Sequence, residues 1–336
     1  MPAGITHRIF AEETKLGLTE ETKNSLPNYD KYLISAQGYD GFIYPDFKHP
    51  WRIAENRRLS NICHHQKFQE QIYNYLDIAR QTGVIEKEQT RLLLYGIIGH
   101  HILDSHAHPF INYNAGDLEP DRSKSTWDHG NIEAKLDAYI YLLKRKGHLA
   151  DTNVIQDFAL TETFDIDVKE VVNKMIVKTF HSTQSISKIE NAGDRLISVY
   201  EQYAQFMKIF RNDPDGRKKK KYQWLEDKFK FALGATSFSN HVRAEDAEPY
   251  LNLDHQEWLN PTDGSKVSTE SYIDLYDKAL EQNIKIINMI DKLTRSNFNS
   301  DDIYSIVPDV SALSGLSGEI PFSLENTKKK RLTKKK

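Results

Sequence analysis

Residues 86–110 read EKEQTRLLLYGIIGHHILDSHAHPF. Leu92, Leu93, Leu94, Ile97 and Ile98 recur at helical spacing, and the run is the most apolar helix in the chain, which places it at the centre of the fold. Pro109 is expected to close it, because the residue before a proline is pushed away from the α region. Inside this helix His100, His101, Asp104, His106 and His108 gather together, although the 336-residue chain has only 13 histidines.

Four residues along a helix advance about 400°, so positions i and i+4 share a face with roughly 40° of drift. His100, Asp104 and His108 therefore form one stripe, with His101 at its edge and His106 pointing nearly the opposite way. The segment DHGNIE repeats the device with His129 and Glu133. Charged groups on an apolar helix need partners, and a cation satisfies several of them at once. Nitrogen and oxygen donors without thiolate suit Zn²⁺, and also Mn²⁺ and Fe. Helical di-iron carboxylate proteins use Glu-x-x-His at i,i+3, whereas both pairs here are at i,i+4 with His first. Helical phosphohydrolases marked by an adjacent His-Asp dipeptide are excluded, since the chain has none.

Outward from this helix the pattern stays helical, and no long segment alternates with period two. IAENRRLSNICHHQKFQEQIYNYLDIARQTG reads as one or two helices ending at Gly83. WDHGNIEAKLDAYIYLLKRKG reads as an amphipathic helix with cations in its last turn. Further helices are predicted at DVKEVVNKMIVKTFHS, DRLISVYEQYAQFMKIF, YQWLEDKFKFALGA and TESYIDLYDKALEQNIKIINMIDKLT. The basic run Arg217–Lys221 follows the turn signal DPDG and reads as a solvated loop. His255 and Trp258 are candidates for a pocket mouth, with Trp258 packing against the last helix. The expectation is an all-α fold, one multi-helix domain over residues 1–296, followed by a disordered basic tail over 297–336.

The composition suits a globular chain: 39% hydrophobic and 28% charged residues. A net charge of −3 gives no global attraction to nucleic acid, so specific nucleic-acid binding is not indicated. The tail carries seven basic residues in its last ten and offers weak contact with anionic lipid. Cys63 is the only cysteine, which rules out an internal disulfide and a Cys-rich zinc site. No apolar run reaches the roughly 18 residues of a transmembrane segment. None at the N-terminus resembles a signal peptide, so the expected location is cytoplasmic.

The order of motifs along most of residues 1–295 resembles the zinc-dependent phospholipase C family. These are all-α metallophosphodiesterases related to bacterial secreted phospholipases C and fungal single-strand nucleases. The motifs are ITHRIFAEE, SAQGYDGFIYPDF, NICHHQKF, GHHILDSHAHPF with WDHGNIEAKLD, and LNLDHQEWLNPTDGSKVSTESYIDLYDKAL. The resemblance implies two to three Zn²⁺ ions. Asp40, His64, His100 and Asp104 would hold one, and His108, His129 and Glu133 a second, while Asp104 would bridge to a third also held by His7. Asp40 would in addition orient the attacking water. The interval from Asp104 to His108 is shorter than in the secreted members, which leaves His106 as the alternative to His108. The implied function is metal-dependent hydrolysis of a phosphate ester, phospholipid or soluble phosphodiester. The alternatives are a non-catalytic, metal-stabilised helical binding protein and a nuclease-like phosphodiesterase.

Overall fold

The long apolar helix forms and is central, but it does not stop at Pro109. In the computed structural model, which describes residues 4–116, 125–183, 186, 189, 191–229 and 239–318, it runs as α6 from Glu88 to Ala115 with Pro109 inside it. An interior proline costs about 3 kcal/mol, because it removes one N–H and crowds the carbonyl four residues earlier. Two observations explain why the helix continues. Leu103, Ala107, Phe110, Ile111 and Ala115 are all buried along it, and each large apolar side chain returns about 1.5–3 kcal/mol. The carbonyl of Ser105, left without its helical donor, lies against Gly315, where a Cβ would come within 2.4 Å of that oxygen. Gly315 also has a φ of +64°, so only a residue without a side chain fits there. The helix ends instead at Gly116, in the left-handed conformation.

Around α6 the chain winds as α1 (Gly4–Gly17), α2 (Glu20–Asn24), α3 (Tyr29–Ser35), α4 (Ile53–His65) and α5 (Phe68–Gln81). After α6 come α7 (Ser125–Arg145), α8 (Ile166–Thr179), α9 (Ala192–Phe206), α10 (Arg217–Phe229), α11 (Tyr272–Thr294) and α12 (Ser300–Tyr304). Helices α1, α3, α7 and α11 surround α6. Two two-residue strands, β1 (Trp258–Leu259) and β2 (Val267–Ser268), make an antiparallel pair between α10 and α11. The fold is all-α, and one continuous apolar core reaches from Ile5 to Val307. No helix among the described residues is long and apolar enough to cross a membrane.

Three local expectations need correction. The basic run Arg217–Lys221 is not a loop but the start of α10. Asp213 accepts hydrogen bonds from the Lys218 and Lys219 amides at 2.9 and 2.8 Å and so caps the helix. Trp258 is a core residue that packs against Phe110 and Tyr113 of α6, with its indole donating to the Glu270 carbonyl just ahead of α11, so its partner is chiefly α6. Residues 297–318 are packed rather than disordered: Ile303, Val307 and Ala312 are at most 1% exposed. The segment 310–316 forms a strap whose carbonyls accept hydrogen bonds from His101, His108 and Asn112 of α6. The expected basic tail over 319–336 lies outside the described residues.

Candidate metal centre

Five elements deliver eight buried side chains to one place. His7 comes from α1, Asp40 from a 3-10 turn over Gly38–Phe42, and His64 from the last turn of α4. His100, Asp104 and His108 are three successive turns of α6, and His129 and Glu133 two successive turns of α7. These are the residues that spacing and resemblance singled out. Three groups have ligand atoms within 4.8 Å of one another: His7, His100 and Asp104; Asp40, His64 and His100; His108, His129 and Glu133.

Asp104 stands at the junction. Its Oδ1 lies 3.1 Å from His7 Nε2 and 3.7 Å from His108 Nε2, and its Oδ2 lies 3.2 Å from His100 Nε2. Glu133 Oε1 sits 2.6 Å from His129 Nε2 and 3.3 Å from His108 Nε2. Asp40 Oδ1 is 3.5 Å from His64 Nε2. Gly38, with a φ of +50°, lies on the ring of His100, and a Cβ there would fall 2.3 Å from the imidazole Cγ.

Backbone carbonyls orient three of the imidazoles. His64 Nδ1 donates to the Ser60 carbonyl at 2.7 Å, His100 Nδ1 to that of Ala36 at 3.2 Å, and His108 Nδ1 to that of Ala312 at 2.9 Å. A carbonyl only accepts, so Nδ1 carries a proton in all three, and Nε2 is the nitrogen that each ring turns inward. The Nε2 atoms of His64 and His100 lie 3.0 Å apart, and with both rings neutral two lone pairs meet there, a repulsive contact that a cation relieves. Among the described residues His7 Nδ1, Asp40 Oδ2 and His129 Nδ1 have no hydrogen-bond partner, though buried polar atoms almost always find one. A cavity of about 10 Å³ is bounded by Thr6, His7, Asp104, His108, Glu133 and Tyr272. By size, donor type and unmet polar demand, the residues fit Zn²⁺.

Burial opposes charge at each group, and pairing overrides it at some. Burial pushes Asp40 up to about 6, against the pull of His100. Burial would also raise Asp104, but His108, His100 and His7 hold it well below the usual carboxylate range. His108 resists its burial and rises to about 9 because Asp104 and Glu133 face it. Burial and the neighbouring His100 push His64 well below an ordinary imidazole.

His108, not His106, joins the cluster. His106 Nε2 bonds Gln282 Oε1 of α11 at 2.6 Å and faces a separate cavity of about 340 Å³ lined also by Trp258 and Lys266. His255 is exposed and bonds the Thr269 carbonyl away from both places. Sequence reasoning passed over Asp137, which extends the His129–Glu133 stripe by one more turn and accepts from Thr6 beside His7. Continuing the i,i+4 spacing past Glu133 would have found it. No protein family, curated protein or solved structure matches the chain.

Proposed function

We propose that the chain is a metal-dependent hydrolase of phosphate esters, a phosphodiesterase of the zinc-dependent phospholipase C type, holding two to three Zn²⁺ ions. The observation that carries this reading is that backbone carbonyls turn the Nε2 atoms of His64, His100 and His108 inward, beside three buried carboxylates. Asp40, His64, His100 and Asp104 would hold one ion, His108, His129 and Glu133 another, and His7 with Asp104 the third. When bound, Zn²⁺ supplies Lewis-acid polarisation of a phosphoryl oxygen and acidifies water toward neutrality.

The chain's own groups do the rest. His100 belongs to two of the groups, and Asp104 Oδ1 also lies 3.7 Å from His108 Nε2, which keeps the cations close enough to act on one substrate. Asp40, Asp104 and Glu133 offset cationic charge without contributing a thiolate. Asp40 Oδ2, free of hydrogen bonds among the described residues, can accept a proton from water and orient it. The carbonyls of Ala36, Ser60 and Ala312 keep the imidazoles from turning. The substrate class is a phospholipid or a soluble phosphodiester.

A second reading, a non-catalytic metal-stabilised helical protein, is favoured by the depth of the site, where none of the eight residues is more than 8% exposed. One experiment separates the two. Zinc content by elemental mass spectrometry, on protein purified without a His tag, is expected at two to three per chain and to fall by at least one in Asp104→Ala. Turnover of bis(p-nitrophenyl) phosphate, phosphatidylcholine or single-stranded DNA should vanish in the same variant. Bound zinc without turnover of any of the three selects the non-catalytic reading, turnover of the DNA alone selects a nuclease-like enzyme, and no zinc after reconstitution refutes the centre.

A further inference from the structure

We infer that Asp137 is a positioning residue for His7: it fixes the start of α1 and thereby sets how closely His7 approaches Asp104. The inference rests on the metal centre proposed above. Asp137 lies on α7, one turn beyond Glu133, and is 0% exposed. Its Oδ1 accepts from the Thr6 backbone amide at 2.6 Å and from the Thr6 hydroxyl at 2.7 Å.

The first amides of any helix have no partner inside it and lie at the positive end of its dipole. Among the described residues α1 starts at Gly4, and the Thr6 amide in that turn is capped by a carboxylate from another helix. The next residue is His7, whose Nε2 is 3.1 Å from Asp104 Oδ1. The opposite side of the same turn is held by Gln37, whose Nε2 donates to the Gly4 carbonyl at 3.1 Å. Gln37 directly precedes the 3-10 turn that carries Asp40, and Asp137 shares a helix with His129 and Glu133. The start of α1 is thus clamped to both flanks of the cluster, and Asp137 is the charged half of the clamp.

Burying a carboxylate is expensive, and compensation here is partial. The cation paired with it is Arg211, whose Nη2 lies 3.6 Å from Oδ2 while its Nε donates to Asn240. A group kept for stability alone would be replaceable by an apolar residue without effect on the metal. A positioning group would not.

The test is a zinc titration of the metal-free full chain against a chromophoric chelator, with folding followed by circular dichroism. Asp137→Ala is expected to weaken one zinc equivalent about tenfold or more and to leave the others unchanged. Asp137→Asn keeps an oxygen for the Thr6 amide and should recover most of that loss. In a His7→Ala background, Asp137→Ala should change zinc binding no further. Should Asp137→Ala not fold, Thr6→Val, which removes only the hydroxyl bond, must still weaken the same equivalent. Unchanged affinity at every equivalent in the folded variants, with only a lower Tm, would overturn the positioning role. A native chain that takes up no zinc overturns the centre itself, and that result is read before any variant is made.

Discussion

His101→Phe should change the slope of stability against pH, not only its level. The His101 ring lies parallel on Phe68, with centroids 3.5 Å apart, and its Nε2 donates to the Val310 carbonyl at 2.8 Å. Nε2 therefore carries the proton, and a second proton would have to enter at Nδ1, which is buried without a hydrogen-bond partner. Burial accordingly pushes the imidazole from 6.5 down to about 3. A pKa lower in the fold than in the unfolded chain gives stability that is complete above pH 6.5 and drains away as pH falls toward 3. Each unit of pH below 6.5 costs about 1.4 kcal/mol, so roughly 2 kcal/mol is lost on going from pH 7 to pH 5. Phenylalanine keeps the stacking, carries no titratable proton, and leaves the Val310 carbonyl unpaired at a cost of about 1–3 kcal/mol. The variant is thus less stable at pH 7 and gains about 2 kcal/mol relative to the native chain by pH 5. Urea midpoints of both proteins at pH 7, 6 and 5, in chelator, measure the difference. Stability curves that stay parallel over that range would refute the reasoning.

Two further outcomes follow from the cluster's geometry. His108→Ala should lose at least one zinc equivalent in elemental analysis, whereas His106→Ala should keep all of them; equal losses would refute the assignment of His106 to the α11 side. Gly38→Ala should drive a methyl into the His100 ring and lower both zinc content and Tm. Gly83→Ala, also at positive φ but with nothing within 4 Å, should cost only about 1 kcal/mol of backbone strain and no zinc. Matching zinc losses in the two glycine variants would remove the role given to the Gly38–His100 contact.

The α6 and α7 parts of the candidate site were legible because helical periodicity is a local property. His100, Asp104, His108, His129 and Glu133 announce a shared face through spacing alone, and the structure puts them on facing helices. His7, Asp40 and His64 carry no such signal. Each lies on a different element, and their meeting depends on how α1, α4 and the turn after α3 pack, which no short window encodes. Pro109 misled because its local preference is real but smaller than the burial of the helix around it. The 297–318 segment misled for the opposite reason. Its Ser, Asp and Pro content resembles disorder, yet a few apolar anchors, Phe298, Ile303 and Val307, and backbone bonding to His101, His108 and Asn112 hold it, which overall composition does not register.

The strap over residues 310–316 also sets an order of events during synthesis. The bond between His108 and Ala312 spans 204 residues. At about 5–20 residues per second, tens of seconds separate translation of the two partners. From the moment Glu133 is made all eight side chains of the cluster exist, while His108 still has no carbonyl to orient its ring. Closing so long a loop adds only logarithmically to the entropy cost of folding, but it is a contact that cannot form early. A ribosome-bound chain therefore carries the donors of the centre without the carbonyl that orients His108. The pocket matures when a late-made segment docks, and a product cut between Glu133 and Ala312 would hold every candidate ligand with His108 left unoriented.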